Sequence, residues 1–155
     1  MGYLLLIVMI FIADFGIKKL VEKKLRVGEV KSCFQGRIFL QRYHNRGFAL
    51  NAFEKYPKLV AGGPAVMLAV MFLTLVGLLF KKGNTGVKLA LSMISGGALS
   101  NLYDRFTKHY VVDYIRFGVK WKWLRKIVFN LSDLFIIVGT VLLLVSARDE
   151  KEDGA

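Results

Sequence analysis

Residues 59–80 carry no ionisable side chain. A helix needs about 20 apolar residues to cross a hydrocarbon core of about 30 Å, and a run of this kind suits that use. A core helix of a soluble protein would need a polar face, which this run lacks. Three further apolar blocks follow the same pattern, at 1–18, 87–105 and 127–147. Their few polar residues sit near the ends, with Lys88 placed to snorkel to the headgroups. Backbone groups in hydrocarbon must find internal partners, so such blocks become helices that pack together. The expected fold is a membrane all-α protein, a four-transmembrane-helix bundle, in one domain over 1–155.

In the first block the basic residues Lys18 and Lys19 follow the apolar core instead of preceding it, so it reads as a retained span rather than a cleavable signal. The formal charge of +12 lies mostly in segments flanking the blocks. That distribution points to anionic membrane lipids as partners and away from nucleic acid. A single cysteine, Cys33, allows no internal disulfide and fits no metal-binding spacing. Neither a glycine-rich phosphate loop nor a helical His-Glu-x-x-His is present, so no cofactor and no metal are expected.

Four spans put both termini on one side and the connections 19–58 and 106–126 on the other. Asp14, Lys18, Asn101, Asp104, Arg105, Asn130 and Asp133 then converge on the face that carries the long connections. A carboxylate in mid-membrane costs roughly 2.5–3.5 kcal/mol, so such clustering implies a site or an interhelical clamp. For Asp14 and Lys18, one helical turn apart, both readings stand. The connection 19–58 also holds an alternating run at 37–43 punctuated by glycines, which suggests a small sheet on the membrane surface. Lys120, Trp121, Lys122 and Trp123 suit the headgroup layer.

Two carboxylates around one water can hydrolyse a peptide bond. One ionised group takes a proton from water while its protonated partner polarises the carbonyl, because close like charges cannot both ionise. Asp113 and Asp133 flank one side of the membrane and can meet through a hairpin. Asp104 competes, but Arg105 beside it favours an ion-paired structural role. A thiol mechanism would need Cys33 to meet His44 or His109. A non-enzymatic binder or small transporter using the same polar cluster is the rival from another class.

The motifs Asp14 with Lys18, Asn45-Arg46-Gly47-Phe48-Ala49, Gly96-Gly97 followed by Asn101, Asp104 and Arg105, Val111-Val112-Asp113, and Asn130 with Asp133 together resemble the lipoprotein signal peptidases (signal peptidase II). The resemblance implies an aspartic endopeptidase of the bacterial cytoplasmic membrane. It would cut prolipoproteins just before the lipobox cysteine, after that cysteine has received a diacylglyceryl group, and would be inhibited by globomycin. Asp113 and Asp133 become the catalytic pair. Asn45, Gly47, Asn101, Arg105 and Asn130 line the site, while Asp14, Lys18 and Asp104 give polar support. The active site and a short β-sheet cradle would be extracytoplasmic, both termini cytoplasmic, and the chain a monomer. Loop charge argues the opposite orientation, since most basic residues fall in 19–58. Phe48, Leu50, Ser100 and Ser132 depart from the usual family residues, which bears on substrate fit.

Overall fold

In the computed structural model, which describes residues 1–152, helix α1 (Gly2–Lys24) buries Ile7, Ile10, Asp14, Lys18 and Val21. Steps of three and four residues put these side chains on one face. Two charges therefore lie on the same inward stripe as the apolar residues.

Helix α2 (Pro57–Leu79) begins with proline in its first turn, where a missing N–H costs nothing. It buries only Val60 and Leu75, and its most apolar window has a mean hydropathy of 2.3. A helix that is apolar all round and barely covered by protein needs an apolar solvent. Helix α4 (Leu131–Glu152) meets the same criterion over Leu131–Arg148. These two helices are long and apolar enough to cross a membrane.

Helix α3 (Thr85–Lys108) packs against α1, α2 and α4 and forms the centre of the helical layer. Small residues permit the approach. A Cβ added at Gly96 would lie 3.0 Å from Ile10, and one at Gly97 would lie 2.5 Å from the Ser132 carbonyl oxygen. From α4, Gly139 faces the Ala90 carbonyl in the same way.

A three-stranded antiparallel sheet, ordered β1-β2-β3, consists of β1 (Val30–Cys33), β2 (Ile38–Asn45) and β3 (Val111–Phe117). The chain is thus mostly helical with a small sheet. The alternating run at 37–43 anticipates β2, but the third strand comes from the other connection, 106–126. Its β-branched and aromatic residues, Val111, Val112, Tyr114 and Ile115, favour that conformation. Helix α1 runs on to Lys24, past the apolar block at 1–18, because Val21 and Leu25 pack under the sheet against Val112 and Tyr114. Helix α4 starts later than the block at 127–147, because Phe129 is held as a β-bridge to Ile115.

Candidate active site

Strand β3 supplies Asp113, which is 2% exposed and lies in register with Tyr43 of β2. Asn45 pairs with Val111, so Asn45 and Asp113 are diagonal neighbours on one face of the sheet. The Asn45 amide donates to Asp113 Oδ2 at 2.9 Å, and the Asn130 amide donates to Asp113 Oδ1 at 2.8 Å.

Asp133 comes from the first turn of α4. Its Oδ1 accepts from the Asn101 amide at 2.8 Å, and its Oδ2 accepts from the Asn130 backbone N–H at 3.0 Å. Asn130 therefore touches both carboxylates, through its side chain and its main chain. Burial pushes Asp113 well above the ordinary carboxylate value, to about 7, and the nearby Asp133 charge adds to the effect. The amide donors from Asn45 and Asn130 oppose it without cancelling it.

Beneath this pair lies a buried ion cluster. Lys18 Nζ is 2.7 Å from Asp14 and 3.0 Å from Asp104, and it donates to Asn101 Oδ1 at 3.0 Å. Asp104 also meets Lys108 at 2.9 Å, a charge contact without good hydrogen-bond alignment at Oδ1. The expected ion pair of Asp104 exists, but with Lys18 and Lys108. Arg105, next to it in sequence, points to another face of α3, where its guanidinium donates to the carbonyls of Gly47 and Asn101. Asp14 and Lys18 are thus joined in an interhelical clamp that reaches the site through Asn101.

This cluster also fixes the strand that carries Asp113. The Val112 N–H donates to Asp104 at 3.2 Å, and the Tyr114 hydroxyl donates to Asp14 at 2.9 Å. The residues on either side of Asp113 are both tied to buried carboxylates. Burial and the Asp14 charge raise the pKa of the Tyr114 phenol, so it remains a donor. Neither contact is legible from a motif. Alternation along β3 is the one available signal, since it places Val112 and Tyr114 on the face opposite Asp113.

Ser100 and Ser132 both donate to Asp14 Oδ2, at 2.6 and 2.7 Å. Neither lines the cavity beside the carboxylates, so these two departures alter the support rather than the substrate surface. Phe48 does line the cavity. Gly47 is required by close approach: a Cβ there would collide with the backbone of Asn51 and Ala52.

The cavity has a volume of about 330 Å³. Asn45, Asn101, Arg105, Asp113 and Asp133 form its polar end, while Pro64, Ala98, Ile136 and Ile137 from three helices form an apolar end. It suits an extended polar backbone joined to an apolar group. Cys33 and the histidines are not brought together. Cys33 pairs with Ile38 at one end of β2 and His44 with Val112 at the other, about 20 Å along the strand. His44 instead stacks on Tyr110.

A family model described as "Signal peptidase (SPase) II" matches residues 6–148. A lipoprotein signal peptidase of Clostridium tetani is 34% identical, covering 97% of this chain and 94% of its own length. One from Fusobacterium nucleatum is 30% identical, covering 94% and 85%. A solved bacterial membrane enzyme superposes with a TM-score of 0.83 at 19% identity, covering 99% of this chain and 92% of its own.

Proposed function

The chain belongs to the signal peptidase II family, and from that premise we propose that it is an aspartic endopeptidase in which Asp113 and Asp133 activate water. Its substrates are diacylglyceryl-modified prolipoproteins, cut before the modified cysteine. The observation that carries this reading is the bridging of both carboxylates by Asn130 at the polar end of an otherwise apolar cavity.

Asp113, pushed up to about 7 by burial, carries the shared proton below that pH, and the pair titrates as a unit. The water oxygen attacks the scissile carbonyl carbon while its proton passes to Asp133. Asp113 donates to the carbonyl oxygen as charge develops there. Collapse of the tetrahedral intermediate breaks the C–N bond, the leaving nitrogen takes the proton held by Asp133, and a hydroxyl proton of the intermediate returns to Asp113 as the C=O re-forms. Arg105 and the Asn101 amide, at the polar end, orient the peptide backbone. The apolar end takes the acyl chains of the modified cysteine.

In this reading all four helices span the bilayer, both termini are cytoplasmic, and the sheet rests on the extracytoplasmic surface. Support comes from the buried carboxylates Asp14, Asp104 and Asp113, which gather at the sheet end of the helices, and from Trp121 and Trp123, exposed beside that sheet. Incubation of the purified protein with a diacylglyceryl-modified precursor, with and without globomycin, followed by mass analysis, tests the proposal. Globomycin-sensitive cleavage just before the modified cysteine is expected. An uncut precursor, or cleavage elsewhere, overturns it.

A further inference from the structure

Two hollows lie along the junction of α2 and α3, both lined by Phe106. The upper one, of about 390 Å³, is lined by Arg46, Lys58, Arg105 and His109 and by no acidic residue. Neither Arg46 nor Lys58 has a carboxylate within 4.0 Å among the described residues. The lower one, of about 630 Å³, is almost wholly apolar, with Ala65, Phe72 and Leu99 on its walls and Ser95 at its far end. Ala61 lines the upper hollow and Ala65 the lower, one turn apart on α2, so the two stack along one groove.

From Phe106 to Ser95 the groove runs about 16 Å along α3, from the helical rise. That is close to half of a hydrocarbon core of about 30 Å, the depth of one leaflet. A cationic mouth at headgroup level above an apolar channel one leaflet deep is complementary to a phosphate-bearing lipid.

We propose that this groove binds one anionic phospholipid of the bilayer, its phosphate among Arg46, Lys58 and His109 and an acyl chain between Ala65 and Leu99. The proposal rests on the reading of the chain as a membrane peptidase with this end at the headgroup layer. The peptidase substrate is not the occupant, because its diacylglyceryl group has no phosphate to match the cations. A free phosphate would leave the apolar channel unused. The groove is also separate from the dyad cavity, with which it shares only Arg105.

Native mass spectrometry of the detergent-purified protein, mixed with phosphatidylglycerol or phosphatidylcholine of equal chain length, tests it. Phosphatidylglycerol should be retained at least tenfold better. The double variant R46Q/K58Q should lower its retention to the phosphatidylcholine level, and A65W should reduce retention of both lipids. Water-soluble glycerophosphoglycerol, which has the headgroup and no chains, should not displace the lipid. Equal retention of the two lipids, unchanged retention in R46Q/K58Q, displacement by the soluble headgroup, or lipid-free dimers in place of adducts would overturn it. The charge variants keep the test decisive if A65W fails to fold. Cleavage of the precursor by wild-type protein in the same detergent is scored separately. A missing adduct with intact cleavage defeats only the lipid site, and a missing cleavage with an intact adduct defeats only the dyad.

Discussion

Asn130 and Asp133 cap the start of α4 reciprocally: Asn130 Oδ1 accepts from the Asp133 N–H at 2.8 Å, and Asp133 Oδ2 accepts from the Asn130 N–H at 3.0 Å. This is a capping box with aspartate in the third position. It settles two otherwise unpaired backbone donors and leaves the Asn130 amide nitrogen free for Asp113 and Asn101. One local device thus starts a helix and orients both carboxylates.

Asp113→Asn and Asp133→Asn each remove one half of the proposed acid-base pair. Cleavage of a diacylglyceryl-modified precursor should fall by about 10³-fold, within the range for loss of a general acid or base. Thermal unfolding should stay cooperative at a modestly lower temperature, because an Asn at either position sets one N–H against a neighbouring donor. Substantial residual activity in either variant would refute the dyad.

In the proposed mechanism the raised pKa of Asp113 sets the pH dependence. Its proton is lost as pH climbs through about 7, so kcat/KM should fall above that value. Asn45→Ala removes a donor that favours the ionised form, and should move this falling limb upward by about one unit. The same shift bears on stability. Between 3.8 and about 7 the folded protein holds a proton that the unfolded chain has lost, so this group's contribution declines as pH rises through that window. Asp113→Asn should remove that slope from a series of melting curves.

Lys18→Met leaves Asp14 and Asp104 buried without their common cation. Breaking a buried pair from one side costs about 3–5 kcal/mol, and melting in detergent should show it as a drop of roughly ten degrees. Adding Asp14→Asn to Lys18→Met should recover part of the loss. A pair of additive losses would contradict the clamp.

Ser100→Gly and Ser132→Ala each remove one donor to the same oxygen of Asp14. Each single change should cost about 1 kcal/mol, and together they should cost more than the sum, since the second removal leaves Oδ2 with Lys18 alone. A double-mutant cycle on melting temperature measures the coupling.

Gly97→Ala would set a methyl group against the Ser132 carbonyl and Ile136, and forcing α3 and α4 apart should cost about 1–3 kcal/mol. Gly47→Ala acts elsewhere. It should reduce cleavage as well as lower the melting temperature, because the loop backbone that must shift also carries the carbonyl bonded to Arg105.

The uncharged run at 59–80 made α2 plain in the sequence, and the motif residues gather at one end of the helices. What the sequence left hidden were the partners. Asp104 next to Arg105 invites a pairing that a helix forbids, since adjacent side chains diverge by about 100° around the axis. Lys18 and Lys108 are the true partners because each lies on a face that α1 and α3 turn towards Asp104. The third strand was hidden for another reason: seven residues of modest alternation carry little signal until β2 offers an edge. Ser100 and Ser132 looked unrelated, being 32 positions apart, and only packing of α3 on α4 brings both hydroxyls to one oxygen.

Because Val112 and Tyr114 are moored to Asp104 and Asp14, the strand resembles a string clamped just beside the point that matters. A displacement of the exposed strands is damped before it reaches Asp113. The distance between Asp113 and Asp133 is thereby governed by the buried interior of the helical layer rather than by the exposed strands of the sheet.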